Sequence, residues 1–330
     1  MRIALVVSAH GYGHATRSLV LADALAELGH AITLFSAAPA AILGDRHPIR
    51  PWVVDVGLRQ PDSLREDLPG TLAALEERCA EAAIDALAAA LSGFDRVGVD
   101  IAPAGLEAAR RAGVPAVAVG NFDWAWIYRH YPALAGWAER FAAWQALHPA
   151  IALTPGPGPT GFHTVLPGGL LARSGPAVAV AQTGVLVCFG GFGLDGLDAL
   201  LPELPGVTWV LAPPMPRLDR PDIRYVDDVP FPSLVAGAAA LLTKPGYGVL
   251  AEATVAGTPI VWVDRGAFPE APFLEAALHA RGDVKVAGAA GALPSREAVA
   301  EAVEARLSRS RPTARPGDDR RRIARLVLEA

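Results

Sequence analysis

Two glycine turns, one near each end of the chain, carry the residue types that handle phosphates and reacting hydroxyls. Lys244-Pro245-Gly246-Tyr247-Gly248-Val249-Leu250-Ala251-Glu252 follows an apolar run, 238–243, that reads as a buried strand, and it opens a helix predicted over 249–256. Backbone N–H groups at such a helix start bind phosphate. Lys244 can pair with phosphate charge, and Glu252, one turn further in, can accept hydrogen bonds from a ribose. His10-Gly11-Tyr12-Gly13-His14 repeats the arrangement after a first strand predicted over 3–8. Here the glycines let a ligand approach the backbone, and His14 is placed to take a proton from a hydroxyl. Arg17 shares the helix face of His14 and suits an anionic group. His10 competes with His14 for the base.

Other strand ends carry further candidates. Asp100 closes a strand predicted over 96–100, where it suits either a carboxylate that orients His14 or the N-cap of the next helix. Asn121-Phe122-Asp123-Trp124-Ala125-Trp126-Ile127-Tyr128 follows another strand. Asn121 and Trp124 fit the acceptor side, the aromatics as stacking walls, with Asp123 in reserve as base or partner. Gly190-Gly191-Phe192-Gly193 follows the strand 185–189 and offers N–H groups to a diphosphate. Asp264 and Glu270 are carboxylates suited to gripping sugar hydroxyls, and Glu270 equally suits a helix start. No Asp-x-Asp pair follows a strand, so no bridging metal is called for. No G-x-x-x-x-G-K-[ST] loop and no G-x-S-x-G elbow occurs.

These residues need elements that bring strand ends together. The first half alternates strand and helix: strands over 3–8, 31–35, 51–54, 96–100, 116–119 and 151–154, helices over 16–28, 71–91, 104–112 and 133–147. The second half resumes the rhythm with strands over 185–189, 208–211, 223–226, 239–243, 259–263 and 284–287, and helices over 194–201, 249–256, 273–280, 296–308 and 321–328. Alternation of this kind demands parallel sheets covered by helices. The expected organisation is a Rossmann-like domain over 1–154, a Pro/Gly-rich linker over 155–180, a second Rossmann-like domain over 181–310, and a basic, flexible tail with a short helix over 311–330. Doubly wound domains bind ligands at the carboxyl ends of their strands, so a cleft between the two is expected.

Composition narrows the classes. At 330 residues, 52% hydrophobic and 19% charged, the chain can build two cores. A net charge of −5 and the lack of a basic stripe with interleaved aromatics argue against nucleic acid. Two cysteines, Cys79 and Cys188, exclude a disulfide scaffold. No apolar run is long enough for a transmembrane helix, so a cytoplasmic protein is expected. The Arg-rich end leaves peripheral membrane contact open, although Asp318 and Asp319 dilute it.

Taken together these motifs resemble the two-domain glycosyltransferase fold called GT-B, a resemblance that implies an acceptor-side domain over 1–154 and a nucleotide-sugar-binding domain over 181–310. A narrower resemblance is to the glycosyltransferase-like N-terminal half of L-arabinokinases. It rests on Gly11-Tyr12-Gly13-His14-Ala15-Thr16-Arg17, Asn121-Phe122-Asp123-Trp124 with Ile127-Tyr128, Gly246-Tyr247-Gly248 with Glu252-Ala253, and Glu270 with Pro272-Phe273-Leu274. The kinase half has no counterpart, so arabinokinase activity is not implied. The wider group is similar to the N-acetylglucosaminyltransferase that completes lipid II, whose glycine loop ends in a histidine that serves the chemistry. Pro269-Glu270-Ala271-Pro272 stands where that enzyme has a Gln-rich stretch. The resemblance implies an inverting, metal-independent transfer from a nucleotide-diphosphate sugar, most simply a UDP-sugar, with His14 as base. The nucleotide sugar would be a co-substrate, with no cofactor. Hydrolysis or epimerisation of a sugar nucleotide, and a non-catalytic module that senses one, are the alternatives.

Overall fold

The computed structural model describes residues 1–59, 66–190, 196–264, 266, 268–289, 292–315 and 317–330. They divide into two compact units. The first takes in the described residues up to Leu171 together with Asp319–Ala330, and the second takes in those of Ala172–Asp318.

In the first unit the chain runs β1 (Arg2–Val7), α1 (Tyr12–Glu27), β2 (Ala31–Phe35), α2 (Ala40–Leu43), β3 (Ile49–Arg50), α3 (Leu68–Arg78) and α4 (Glu81–Leu91). It continues through β4 (Arg96–Asp100), α5 (Pro103–Arg111), β5 (Ala116–Gly120), α6 (Trp124–Tyr128), α7 (Ala135–Gln145), β6 (Pro149–Leu153) and β7 (Thr164–Gly169). The seven strands form one parallel sheet in the order β3-β2-β1-β4-β5-β6-β7. Ile3 through Val7 are buried, as a strand covered by helices on both faces requires. The strand order reverses between β1 and β4, and the register that sets Val7 opposite Asp100 brings the turn after β1 beside the end of β4.

The second unit contains β8 (Gly184–Cys188), α8 (Leu197–Leu200), β9 (Thr208–Leu211), β10 (Ile223–Tyr225), α9 (Phe231–Gly237), β11 (Ala240–Thr243), α10 (Tyr247–Ala256), β12 (Ile260–Trp262), α11 (Ala271–Ala280), β13 (Val284–Lys285) and α12 (Arg296–Leu307). Its six strands are parallel in the order β10-β9-β8-β11-β12-β13, with the reversal between β8 and β11. Cys188 pairs with Thr243, which sets the turn at Gly190 beside Lys244. Both cysteines are buried, and burial pushes each thiol up to about 12.

Some elements depart from the sequence expectation. The helix expected over 71–91 is two, because Ala80 is extended (φ −62°, ψ 148°) and starts α4 afresh. The strand expected over 51–54 lies earlier, at β3, since Pro51 has no N–H for the ladder. The 155–180 stretch holds β7, an edge strand where Pro167 costs no ladder bond, and the boundary between units falls inside this stretch. The end of the chain is not a loose tail. Arg311 donates to the Ala238 carbonyl, and the Arg315 N–H to that of Thr254.

A last helix, α13 (Arg320–Glu329), closes the first unit. Asp319 pairs through its backbone and carboxylate with both backbone groups of Leu170, and Arg322 donates to the carbonyls of Pro167 and Gly168. Ile323, Ala324 and Val327, each 0% exposed, join the core formed by β1 and α1. Ile323→Ala is therefore expected to cost the first unit about 2–5 kcal/mol, the usual cost of emptying a buried aliphatic site. Urea unfolding followed by hydrogen exchange would show the loss in β1 and α1, with the second unit unchanged.

Candidate active site

The first site forms where β1 and β4 diverge. Gly11 caps α1 with φ +84°, a conformation that favours glycine, and no side chain caps the helix. Tyr12 and Gly13 stand at the rim, and His14 points inward, 8% exposed. Its Nδ1 lies 2.7 Å from Asp100 Oδ1. Arg17 binds the same carboxylate through both ends of its fork, Nε to Oδ2 at 2.7 Å and Nη2 to Oδ1 at 2.5 Å. Ser18 Oγ donates to Oδ2 at 3.0 Å. Arg17 Nη1 also donates to Asn121 Oδ1 at 2.7 Å, while Asn121 Nδ2 donates to the Pro155 carbonyl at 2.7 Å.

This network fixes a chemical state. Burial alone would push the Asp100 carboxyl up, but the Arg17 guanidinium and His14 outweigh it and hold it well below the usual carboxylate range. An ionised Asp100 keeps the imidazole proton on Nδ1, although Arg17 Nη2 lies only 2.9 Å from that atom. The lone pair is then left on Nε2, the atom a general base uses. Ile101, directly after Asp100, is held at φ +47°, a strained conformation for a β-branched residue. A Cβ on Gly120 would collide with the Ile101 side chain, so the strain is accommodated by a glycine on the next strand.

The structure redistributes several expected roles. Asp123 is not beside His14 Nδ1. It caps α6, accepting from the Trp126 N–H at 2.7 Å and, on its other oxygen, from the Thr160 N–H at 2.6 Å. Arg17 is 8% exposed and engaged inward, so it holds Asp100 rather than an incoming anion. Trp124 and Tyr128 are not exposed walls. They pack against one another and against Phe122 and Phe141, and only Trp126 of this group is half-exposed. Asp55 was missed. It accepts from Trp124 Nε1 at 3.2 Å, and it follows an apolar run, which is the signal that marked Asp100.

The second site lies at the reversal between β8 and β11. Gly190 has φ +76°, and a Cβ there would lie 3.6 Å from Lys244 Cε, so the turn and the lysine share one locality. Gly191 and Gly193 lie outside the described residues. Gly246 caps α10 without a side-chain bond, leaving the start of this ten-residue helix to Tyr247 and Gly248. Glu252 is 4% exposed. Arg173 Nε donates to its Oε1 at 2.6 Å, and among the described residues Oε2 has no hydrogen-bond partner. Burial pushes the Glu252 carboxyl up, and Arg173 opposes the shift. Arg173 sits in a stretch whose composition marks only a linker, so no sequence signal pointed to it. Glu270 precedes α11, half-buried and giving it no side-chain cap, while Asp264 is held by Lys285 at 2.8 Å. Among the described residues no cluster of His, Cys, Asp or Glu is arranged for a metal, and no helix is long and apolar enough to cross a membrane.

Two parallel doubly wound sheets, each carrying a glycine turn at its reversal point, make this the α/β architecture of GT-B glycosyltransferases. Over 99% of the chain it superposes on a UGT transferase from Siraitia grosvenorii in complex with UDP, covering 93% of that chain with TM-score 0.59 at 14% identity. It superposes in full on glycosyltransferase VinC in complex with dTDP, covering 94% of that chain with TM-score 0.63 at 17% identity. In sequence it is 29% identical over 301 residues to L-arabinokinase of Arabidopsis thaliana. That alignment takes in 82% of this chain and spans 29% of the length of the plant protein. No family model matches the chain.

Proposed function

We propose that the protein is an inverting, metal-independent glycosyltransferase that moves a sugar from a nucleoside-diphosphate donor to an acceptor hydroxyl. The hydrogen-bonded His14–Asp100 pair at the head of α1 carries this reading. His14 Nε2 takes the acceptor proton while the acceptor oxygen attacks the anomeric carbon. The bond from that carbon to the diphosphate oxygen breaks, and the diphosphate leaves. Asp100 favours the imidazolium that forms. The N-terminus of α10, with Gly190 and Lys244, stabilises charge on the leaving diphosphate.

Glu252 supports a ribonucleotide donor, a UDP-sugar being the simplest. Its buried Oε2 needs a donor, and a ribose hydroxyl supplies one. Both UDP and dTDP occupy neighbours of this fold, so the fold alone does not choose. A thermal-shift screen with UDP, GDP, dTDP, ADP and CMP tests the reading: a selective rise with one nucleotide fits it, and no rise with any overturns the donor site. Glu252→Gln is expected to weaken binding of the selected nucleotide by roughly 10- to 100-fold, the worth of a hydrogen bond to a charged group. Calorimetric titration would show that loss, and an unchanged affinity would remove Glu252 from the site.

A further inference from the structure

The turn from β4 into α5 is strained at one residue, and that residue adjoins the site. Ile101 has φ +47°, where a β-branched side chain is rare and a glycine is unstrained. Its N–H donates to the Val99 carbonyl at 3.0 Å, which bends the chain at Asp100. Ala102 alone then separates it from α5, whose first residue is Pro103. Ile101 is 1% exposed. A Cβ on Gly120, the last residue of β5, would lie 2.2 Å from Ile101 Cγ2, so the branched side chain is packed directly against bare backbone.

The neighbours of these two residues hold Arg17. Asp100, before Ile101, receives Nε and Nη2, and Asn121, after Gly120, receives Nη1 at 2.7 Å. The guanidinium is planar and rigid, so it satisfies both partners only at one separation of the two strand ends. Asn121 is fixed from its far side. Its Nδ2 donates to the Pro155 carbonyl at 2.7 Å, and its own carbonyl accepts from the Gly158 N–H at 2.9 Å. The Asp100 carboxylate is held by His14, Arg17 and Ser18, all on α1. The ladder between β4 and β5 ends at Val99 and Ala118. Beyond it, Ile101 seated on Gly120 sets the spacing.

We propose that Ile101 and Gly120 are positioning residues of this site: a strained side chain locked on a bare strand end keeps Asp100 and Asn121 apart by the span of the Arg17 fork. With that span kept, Asp100 Oδ1 stays 2.7 Å from His14 Nδ1, and the ring keeps its lone pair on Nε2. The strain has a physical use. A glycine at 101 would let the turn relax into other conformations, and Asp100 would move with it. Isoleucine admits few conformations there, and packing against Gly120 selects one of them. The consequence for transfer rests on His14 being the base, while the geometry does not.

The test reads that geometry without substrate, so its failure is distinct from failure of the transferase reading. Nitrogen NMR of labelled protein, at a pH where the ring is neutral, shows which ring nitrogen of His14 carries the proton, with His14→Gln used to assign the signals. The Arg17 Nε–H signal reports the bond to Asp100. In Ile101→Gly both signatures should be lost: the single tautomer gives way to a mixture, and the Arg17 proton exchanges faster with water. Ile101→Val, which keeps the branch at Cβ, should retain both. Turnover of Ile101→Gly should fall about 100-fold, the loss that follows a misplacement of about 1 Å. A lost tautomer with unchanged turnover would count against His14 as base and leave the positioning role standing. A folded Ile101→Gly in which both signals are unchanged overturns the proposal, since a side chain that only fills the core would lower the unfolding midpoint and leave the tautomer alone. If Ile101→Gly does not fold, Ile101→Ala decides by the same signals.

Discussion

Replacing His14 by alanine is expected to slow transfer by roughly 10²- to 10⁴-fold, the usual worth of a positioned base, and to leave nucleotide affinity where it was. The separation follows from where the residues stand. His14 belongs to the turn after β1, while the phosphate-binding turn and Glu252 belong to the other sheet. Turnover is measured as release of nucleoside diphosphate from the donor selected by thermal shift, and affinity by calorimetric titration. Arg17 keeps its two bonds to Asp100 in the variant, so the network survives and the thermal midpoint should change little. Equal losses in turnover and binding would sink the assigned role, because they would mean that the variant had damaged the whole protein.

The second large effect concerns stability. Asp100→Ala removes the only carboxylate that Arg17 is paired with among the described residues, leaving a guanidinium that is 8% exposed with only the neutral Asn121 amide and the His14 ring beside it. Breaking a buried pair from one side costs about 3–5 kcal/mol, and urea unfolding at neutral pH should show a loss of that size. Its pH dependence has a definite sign. Arg17 and His14 hold the folded carboxyl below its unfolded value against the effect of burial. The stabilisation is therefore complete above the unfolded value, about 3.9, and fades as pH falls through the lower folded value. The difference between the variant and the unmodified protein should be full at pH 7 and shrink only in strong acid. A difference that vanished near neutrality would contradict the network.

Much of this arrangement is legible in the chain. Glycine turns after apolar runs located both reversal points, and the strand-end rule found His14 and Asp100 from opposite sides of a gap of 86 residues. Local patterning could not say which of two strand-end carboxylates meets the histidine. Asp123 and Asp100 look alike in sequence, and only the register of β1 on β4 separates them. The aromatic cluster misled for a related reason, since Trp and Tyr suit a binding wall and a core equally well, and burial decided for the core. Arg17 suits an anionic group in sequence because its partners, 83 and 104 residues away, lie outside any local window. Helix α9 went unread because prolines at 230 and 232 look like breakers, although they fit a helix start.

The place of α13 bears on how the molecule is made. The first unit is discontinuous: its strands come from the first half of the chain, yet Ile323, Ala324 and Val327 leave the ribosome after the whole of the second unit. During synthesis the β1–α1 core must wait with an uncovered apolar face while roughly 150 further residues emerge, on the order of ten seconds at ordinary elongation rates. The second unit, whose described residues all come from one stretch of the chain, can complete its sheet first. Residues 1–171 taken alone should therefore bind apolar dyes and aggregate, and joining residues 319–330 to them by a short linker should relieve both.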